Sequence, residues 1–220
     1  LAVEQITTGA RLSQVRIGVS DGRLAFGDGA TELVVASNIN GSFLLTDAGV
    51  AGEISASIAT DPALGADFAG DFALAVNTTG MAVKDSMVVG GSTVTIDVPA
   101  GPYLRVEGTN VSLTVANQTL SGNFAFEQIT RTDTTKFTRV VANNVTVSLG
   151  DGANTFVHLT NGQGFFVTTV DGLAGRLSGD VSINLSGVAF SASISLELNT
   201  STQAINESFM LGGATETLVL

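Results

Sequence analysis

Cysteine and tryptophan are absent from the 220 residues, and there is one tyrosine, one histidine and three prolines. Without cysteine the chain has no disulfide framework, no thiolate nucleophile and no thiolate metal site, whatever its compartment. One tyrosine leaves little for the aromatic platforms that carbohydrate grooves usually display. Basic residues are scarce as well: nine Lys and Arg against twenty Asp and Glu give a formal charge of −11. That sign repels phosphate backbones and anionic lipid, which argues against nucleic-acid binding and polybasic membrane docking. No run approaches the roughly 18 apolar residues of a spanning helix, so no membrane insertion is expected. The first residues lack a basic stretch followed by an apolar one. With 26 glycines scattered along the chain, no segment reads as an interdomain linker or a low-complexity tail.

What is present is Val, Ile, Leu, Ala, Gly, Ser and Thr, a composition suited to half-buried strands. Apolar and polar residues alternate in Val94–Val98, Val111–Val115, Val145–Leu149 and Phe190–Leu198, which predicts strands with one apolar face. Gly-Asp-Gly, Asn-Gly, Asp-Gly and Gly-Gly stand between such runs and predict close turns. Only Asp61 to Ala66 has the makings of a helical turn.

The chain also repeats itself. Gly27-Asp28-Gly29-Ala30 returns as Gly150-Asp151-Gly152-Ala153, an offset of 123 residues, and Ala2-Val3-Glu4-Gln5-Ile6-Thr7 returns as Ala125-Phe126-Glu127-Gln128-Ile129-Thr130. Asn77-Thr78 then matches Asn199-Thr200, and Gly90-Gly91 matches Gly212-Gly213, at an offset of 122. One residue is therefore lost between Ile58 and Phe68, the stretch of the first copy that carries a proline. The expected division is a first repeat over 1–98, a connecting rung over 99–123 and a second, truncated repeat over 124–220.

Strand-level similarity runs inside the unit too. Apolar-x-Gly-x-apolar recurs at Val50, Phe68, Leu120 and Leu173, and the stretch Arg105–Val115 resembles Arg139–Leu149 at an offset of 34. Sub-repeats of that length suit the rungs of a β-solenoid, about four to a unit and roughly 19 Å of rise. The fold class expected is thus all-β, a solenoid of tandem repeats; tandem antiparallel β-sandwich domains are the alternative.

Several residues invite a functional reading. Asp28 and Asp151 recur between glycines, where a carboxylate beside turn carbonyls offers calcium the oxygen ligands it prefers; a plain turn residue is the other reading. Calcium is the one cofactor in view, and the chain lacks both an EF-hand loop and the Gly-Gly-x-Gly-x-Asp nonapeptides of calcium-binding β-rolls. Asn-x-Ser/Thr triplets begin at Asn40, Asn77, Asn110, Asn117, Asn144, Asn184, Asn199 and Asn206, where chance would give about three. Glycosylation is one explanation, and turn asparagines preceding Ser/Thr-faced strands are the other. Arg16, Arg105 and Arg139 hold matching places and could form a row pairing with acids such as Glu107, or serve as strand-edge charges. His158 lies in a strand-like run where the first copy has Val35, which reads as a surface residue. No nucleophile elbow, phosphate loop or zinc-binding pair occurs, so no catalytic residue is expected.

The phrases Gly101–Val106, Leu120–Gln128 and Thr160–Gly164 resemble the long tandem repeats of giant bacterial surface or secreted proteins, the repetitive adhesins. That resemblance implies an extracellular or cell-surface stalk or filament, in such proteins often calcium-dependent. The expected role is a non-catalytic structural repeat that self-associates end to end or with neighbouring repeats. A glycan- or cell-binding module is the alternative, and a polysaccharide-cleaving β-helix the third class.

Overall fold

A computed structural model describes residues 1–8, 11–130 and 135–220. The strands in chain order are β1 (Ala2–Thr8), β2 (Arg11–Gly27), β3 (Glu32–Thr46), β4 (Gly49–Thr60), β5 (Ala66–Asn77), β6 (Val83–Val89), β7 (Ser92–Val98), β8 (Tyr103–Val115), β9 (Gln118–Thr130), β10 (Lys136–Gly150), β11 (Thr155–Thr169), β12 (Gly172–Leu185), β13 (Val188–Asn199), β14 (Asn206–Leu211) and β15 (Ala214–Val219). Eleven of them form one sheet in the order β1-β2-β3-β4-β5-β8-β9-β10-β11-β12-β13, while β6-β7 and β14-β15 are separate hairpins. The expected helical turn is a 3₁₀ turn, Pro62–Leu64, capped by the Asp61 side chain and closed by Gly65.

The all-β class holds. The pairing, however, is antiparallel throughout the described residues and joins strands that follow one another in the chain, apart from β5–β8, which closes over the first hairpin. Neither stacked parallel rungs nor two large facing sheets describe it. The 34-residue similarity has a different origin from a rung: β8 and β10 are the two strands flanking β9, so the offset measures one strand pair of a meander. The unit spans six sheet strands and a hairpin, with β9 to β13 standing where β1 to β5 stood. β8 lies within the segment 99–123 and bonds to β5 on one side and β9 on the other, so the sheet crosses from one copy to the next without a break.

The lost residue falls in the β4–β5 connection. The first copy uses five residues there, 61–65, where the second turns tightly at Ser186-Gly187 after a strand, β12, two residues longer than β4. Gly90-Gly91 and Gly212-Gly213 have positive φ throughout and close the two hairpins, as primed turns require. Asp21-Gly22 and Asn161-Gly162, expected as turns, lie instead inside strands. Asp21, Asn38, Asn110, Asn144 and Asn161 all take left-handed φ near 50°, each where the register of β2, β3, β8, β10 or β11 slips. Asn and Asp tolerate that conformation better than other residues with a side chain, and a bulge lets a strand of 15–17 residues bend without ending.

Both hairpins cover the same face. β8 shows this directly, because Tyr103 packs into the first core while Arg105, two residues on, reaches the second hairpin. The first core is Ala51, Ile96, Val98 and Tyr103. The second is larger: Ala125, Phe137, Val141, Phe165, Val167, Phe209, Leu211 and Leu218. On the opposite face Leu74, Val106, Phe126, Val140 and Phe166 follow one another across the strands, and Val106, Phe126 and Val140 remain exposed. Phe43 and Phe166 lie over Gly52 and Gly175 of the next strand, where a β-carbon would sit 2.2 Å from the ring. Glycine is what admits the ring at both repeat-related places.

Candidate functional site

The sheet register sets Arg105, Glu127 and Arg139 side by side on β8, β9 and β10. Arg139 donates from Nε to Glu127 Oε2 at 2.8 Å and from Nη2 to the same oxygen. The Tyr103 hydroxyl donates to Glu127 Oε1 at 3.2 Å. Arg105 Nη1 stands 4.0 Å from Oε1 and its Nε donates to Glu107 at 3.2 Å. The Phe209 ring packs against both guanidinium groups, 4.4 Å from that of Arg105 and 5.1 Å from that of Arg139. Each arginine also donates at 2.8 Å to a hairpin carbonyl, Arg105 to Met210 and Arg139 to Ser208. Burial, with the negative charge of Glu127 beside it, pushes the Tyr103 hydroxyl up to about 12. This network latches β14–β15 onto the junction of the two copies. The arginine row expected from sequence is real in part: Arg105 meets Glu107, but the central acid is Glu127, whose signal was the repeated Glu-Gln pair at 4–5 and 127–128.

The first copy holds the incomplete version. Arg16 faces Glu4 across β1–β2 and donates to it at 3.2 Å. It forms a fork on Asp85 of β6, 2.7 and 3.0 Å. Arg16, Glu4 and Asp85 are the counterparts of Arg139, Glu127 and Glu207, the last 3.6 Å from Arg139. Among the described residues β1 pairs with β2 alone, and no second arginine stands beside Glu4 there. The Glu4 side chain is accordingly 52% exposed against 6% for Glu127.

A second repeated device starts each hairpin. Asn77 is fully buried; its Nδ2 donates to the carbonyls of Met81 and Pro99 at 2.8 and 2.7 Å, and its Oδ1 accepts from Thr79 N and Oγ1. Asn199 repeats the pattern with Gln203 and Ser201, now exposed. Thr78 and Thr200 bond back to Val50 and Leu173 through their hydroxyls. Gly49 and Gly172, at φ 136° and 146°, let those hydroxyls approach. The triplet at 77 and 199 is thus a fastening between hairpin and sheet. Both amide hydrogens of Asn77 are already donated inside the protein, so a glycan there would displace the fastening.

The remaining triplets lie at bulges, turns or strand ends. Asn110 and Asn144 are bulge residues, and Asn117 has positive φ in the β8–β9 turn. Asn40 accepts from Asp21 N beside the bulge in β3. Asn184 and Asn206 stand near strand ends. Asp28 and Asp151 close the β2–β3 and β10–β11 turns. Each Oδ1 accepts two backbone amides, those of Ala30 and Thr31 at 2.9 and 2.8 Å and those of Ala153 and Asn154 at the same distances. These bonds hold both carboxyls below the usual range. No group of three or more His, Cys, Asp or Glu able to hold a metal occurs among the described residues, and a lone carboxylate with one oxygen so engaged does not fit calcium's need for six or more oxygens. His158 sits within β11 between Ser148 and Ser182.

A groove of about 620 Å³ runs beside the first hairpin, lined by Asp21, Glu53, Thr93, Asp97, Tyr103 and Glu107 among others. Its tyrosine is buried and bonded to Glu127, so it presents no aromatic platform. No protein-family model, curated protein or solved structure matches the chain. Geometry alone carries the functional reading. No described helix is long and apolar enough to cross a membrane.

Proposed function

We infer that this chain is a non-catalytic structural repeat whose units join edge to edge into an extended rod, stalk or filament at a cell surface or outside the cell, serving attachment or adhesion. The observation that supports it is the unbroken sheet through β8, which pairs with β5 of the first copy on one side and β9 of the second on the other. Growth along one axis is what a solenoid would also provide; here each unit adds six strands, about 29 Å of sheet at the usual spacing. β1 and β13 are the outermost strands among the described residues, and further units would continue the sheet there.

The test is electron microscopy of chains carrying one, two and three tandem copies, with and without chelator. Particles that lengthen by a constant increment near that spacing, indifferent to chelator, are expected. Compact particles whose longest dimension does not follow copy number would refute the rod. Glycan binding, the second reading, would use the groove beside β7, and saturable binding of an oligosaccharide lost in Glu53→Gln would favour it.

A further inference from the structure

Alternation sorts the side chains of the sheet onto two unlike faces. Glu53, Arg105, Glu127 and Arg139 stand on the face that the hairpins cover. Three rows of the opposite face cross the interior of the sheet between β3 and β12, where every strand is paired on both sides. The middle row passes from Ile54 through Leu74, Val106, Phe126 and Val140 to Phe166. Val76 and Leu104 pair in the row on one side of it, and Phe72 and Phe124 flank Gly108 in the row on the other. The three rows hold no charged residue, and their polar members are Gln128, Thr138 and Thr168. Both hairpins lie on the other side of the sheet, and at the centre Val106, Phe126 and Val140 are 42%, 37% and 46% exposed. At the usual strand spacing and rise the region measures about 750 Å². The largest apolar patch on an ordinary monomer is about 300–600 Å².

We propose that this face is the interface of a two-fold dimer of the chain, two sheets packed about 10 Å apart with β8 and β9 at the centre. Two such faces together bury about 1,500 Å², within the range of stable protein interfaces. Charge selects a second copy as the occupant. The formal charge of −11 opposes anionic lipid, yet Glu53, Glu107 and Glu127 point away from the three rows, so two copies meet without bringing a charge into the contact. A two-fold contact requires a surface that fits itself, and the repeat supplies one. Phe43 lies over Gly52 in the first copy as Phe166 lies over Gly175 in the second, so the two halves of the face carry the same relief about β8. Those rings occupy the places of the missing side chains and level the surface for a second sheet. Pairing goes beyond the rod reading: joining edge to edge extends a layer, pairing adds a second layer, and neither requires the other.

The test is sedimentation equilibrium of the full 220-residue chain over a series spanning the micromolar range, the weak end for interfaces of this size. A mass of twice 22.3 kDa at the upper end is expected, with Phe126 gaining protection from hydroxyl-radical oxidation as the dimer fills. Val106→Glu with Val140→Glu, both at exposed positions, should weaken dimerisation about a hundredfold or more. Val106→Thr with Val140→Thr keeps residues that strands favour and should weaken it about tenfold. Val88→Glu, at an exposed valine of the first hairpin, should leave the mass unchanged. A mass of 22.3 kDa throughout, a dimer indifferent to the paired substitutions, or equal loss in Val88→Glu would each overturn the proposal. A monomer that instead floats with phosphatidylcholine vesicles would assign the face to lipid and overturn it too. Tandem chains that lengthen with copy number at the thickness of one sheet would keep the rod and remove the pairing.

Discussion

The two hairpins share a design and differ in what holds them. β14–β15 packs Phe209, Leu211 and Leu218 against five buried apolar side chains of the sheet and is held by two arginines from different strands. β6–β7 packs Ile96 and Val98 against two, Ala51 and Tyr103, with one arginine from the sheet. Where the second copy packs the aromatic ring of Phe209 over Val141, the first lays Met87 over Gly18, whose missing β-carbon would be 2.6 Å from the sulfur. The contrast follows from position. Beneath the second hairpin the sheet continues into β8, which brings Arg105 and Tyr103 to Glu127; beneath the first, β1 is the outermost strand among the described residues. A unit of this fold is therefore completed by its neighbour, as in other repeat architectures.

Substitution at matched positions sharpens that contrast. Phe209→Ala removes a buried ring and its packing on two guanidinium groups, and about 3–5 kcal/mol of stability should be lost in urea unfolding. Met87→Ala, at a half-buried site, should lose less than about 2 kcal/mol. Equal losses would break the distinction between the hairpins. Glu127→Gln strips the shared carboxylate from Arg139, Arg105 and Tyr103 and should cost about 2–3 kcal/mol. Glu4→Gln, at the exposed edge, should cost under about 0.5 kcal/mol by the same measurement. Asn77→Ala leaves the carbonyls of Met81 and Pro99 without their donor and should cost about 2 kcal/mol, against under about 1 kcal/mol for Asn199→Ala.

The smallest effect is the most local. Tyr103 is the only tyrosine, so the phenolate band in an alkaline titration reports it alone, and half-ionisation near pH 12 is expected for the folded chain. Because the folded protein keeps this proton above the ordinary value of 10.0, the stabilisation is whole below that pH and falls as pH rises through the window to about 12. Glu127→Gln should bring the midpoint back toward the ordinary value.

Much of this fold was legible in sequence. The alternating runs became strands, Gly-Gly and Gly-Asp-Gly became turns, and the one-residue slip fell in the β4–β5 connection. What misled was the left-handed asparagine. Asn161-Gly162 and Asp21-Gly22 satisfy the same backbone demand in a turn as in a bulge, and only pairing to both neighbours distinguishes them. Taking bulged strands for shorter pieces made rungs plausible and hid a meander of strands up to seventeen residues long. The candidate site was less legible. Arg105 and Arg139 were marked by the 34-residue offset, but Glu127 lies on the intervening strand and joins them only once the register is known.

Amide hydrogen exchange strand by strand tests the continuous sheet most directly. If β8 joins the two copies, its amides should exchange as slowly as those of β9 and β10, while β1 and β13 exchange fast as free edges. Fast exchange throughout β8, with the two halves protected independently, would mean that the segment is a linker between separate domains and would contradict it.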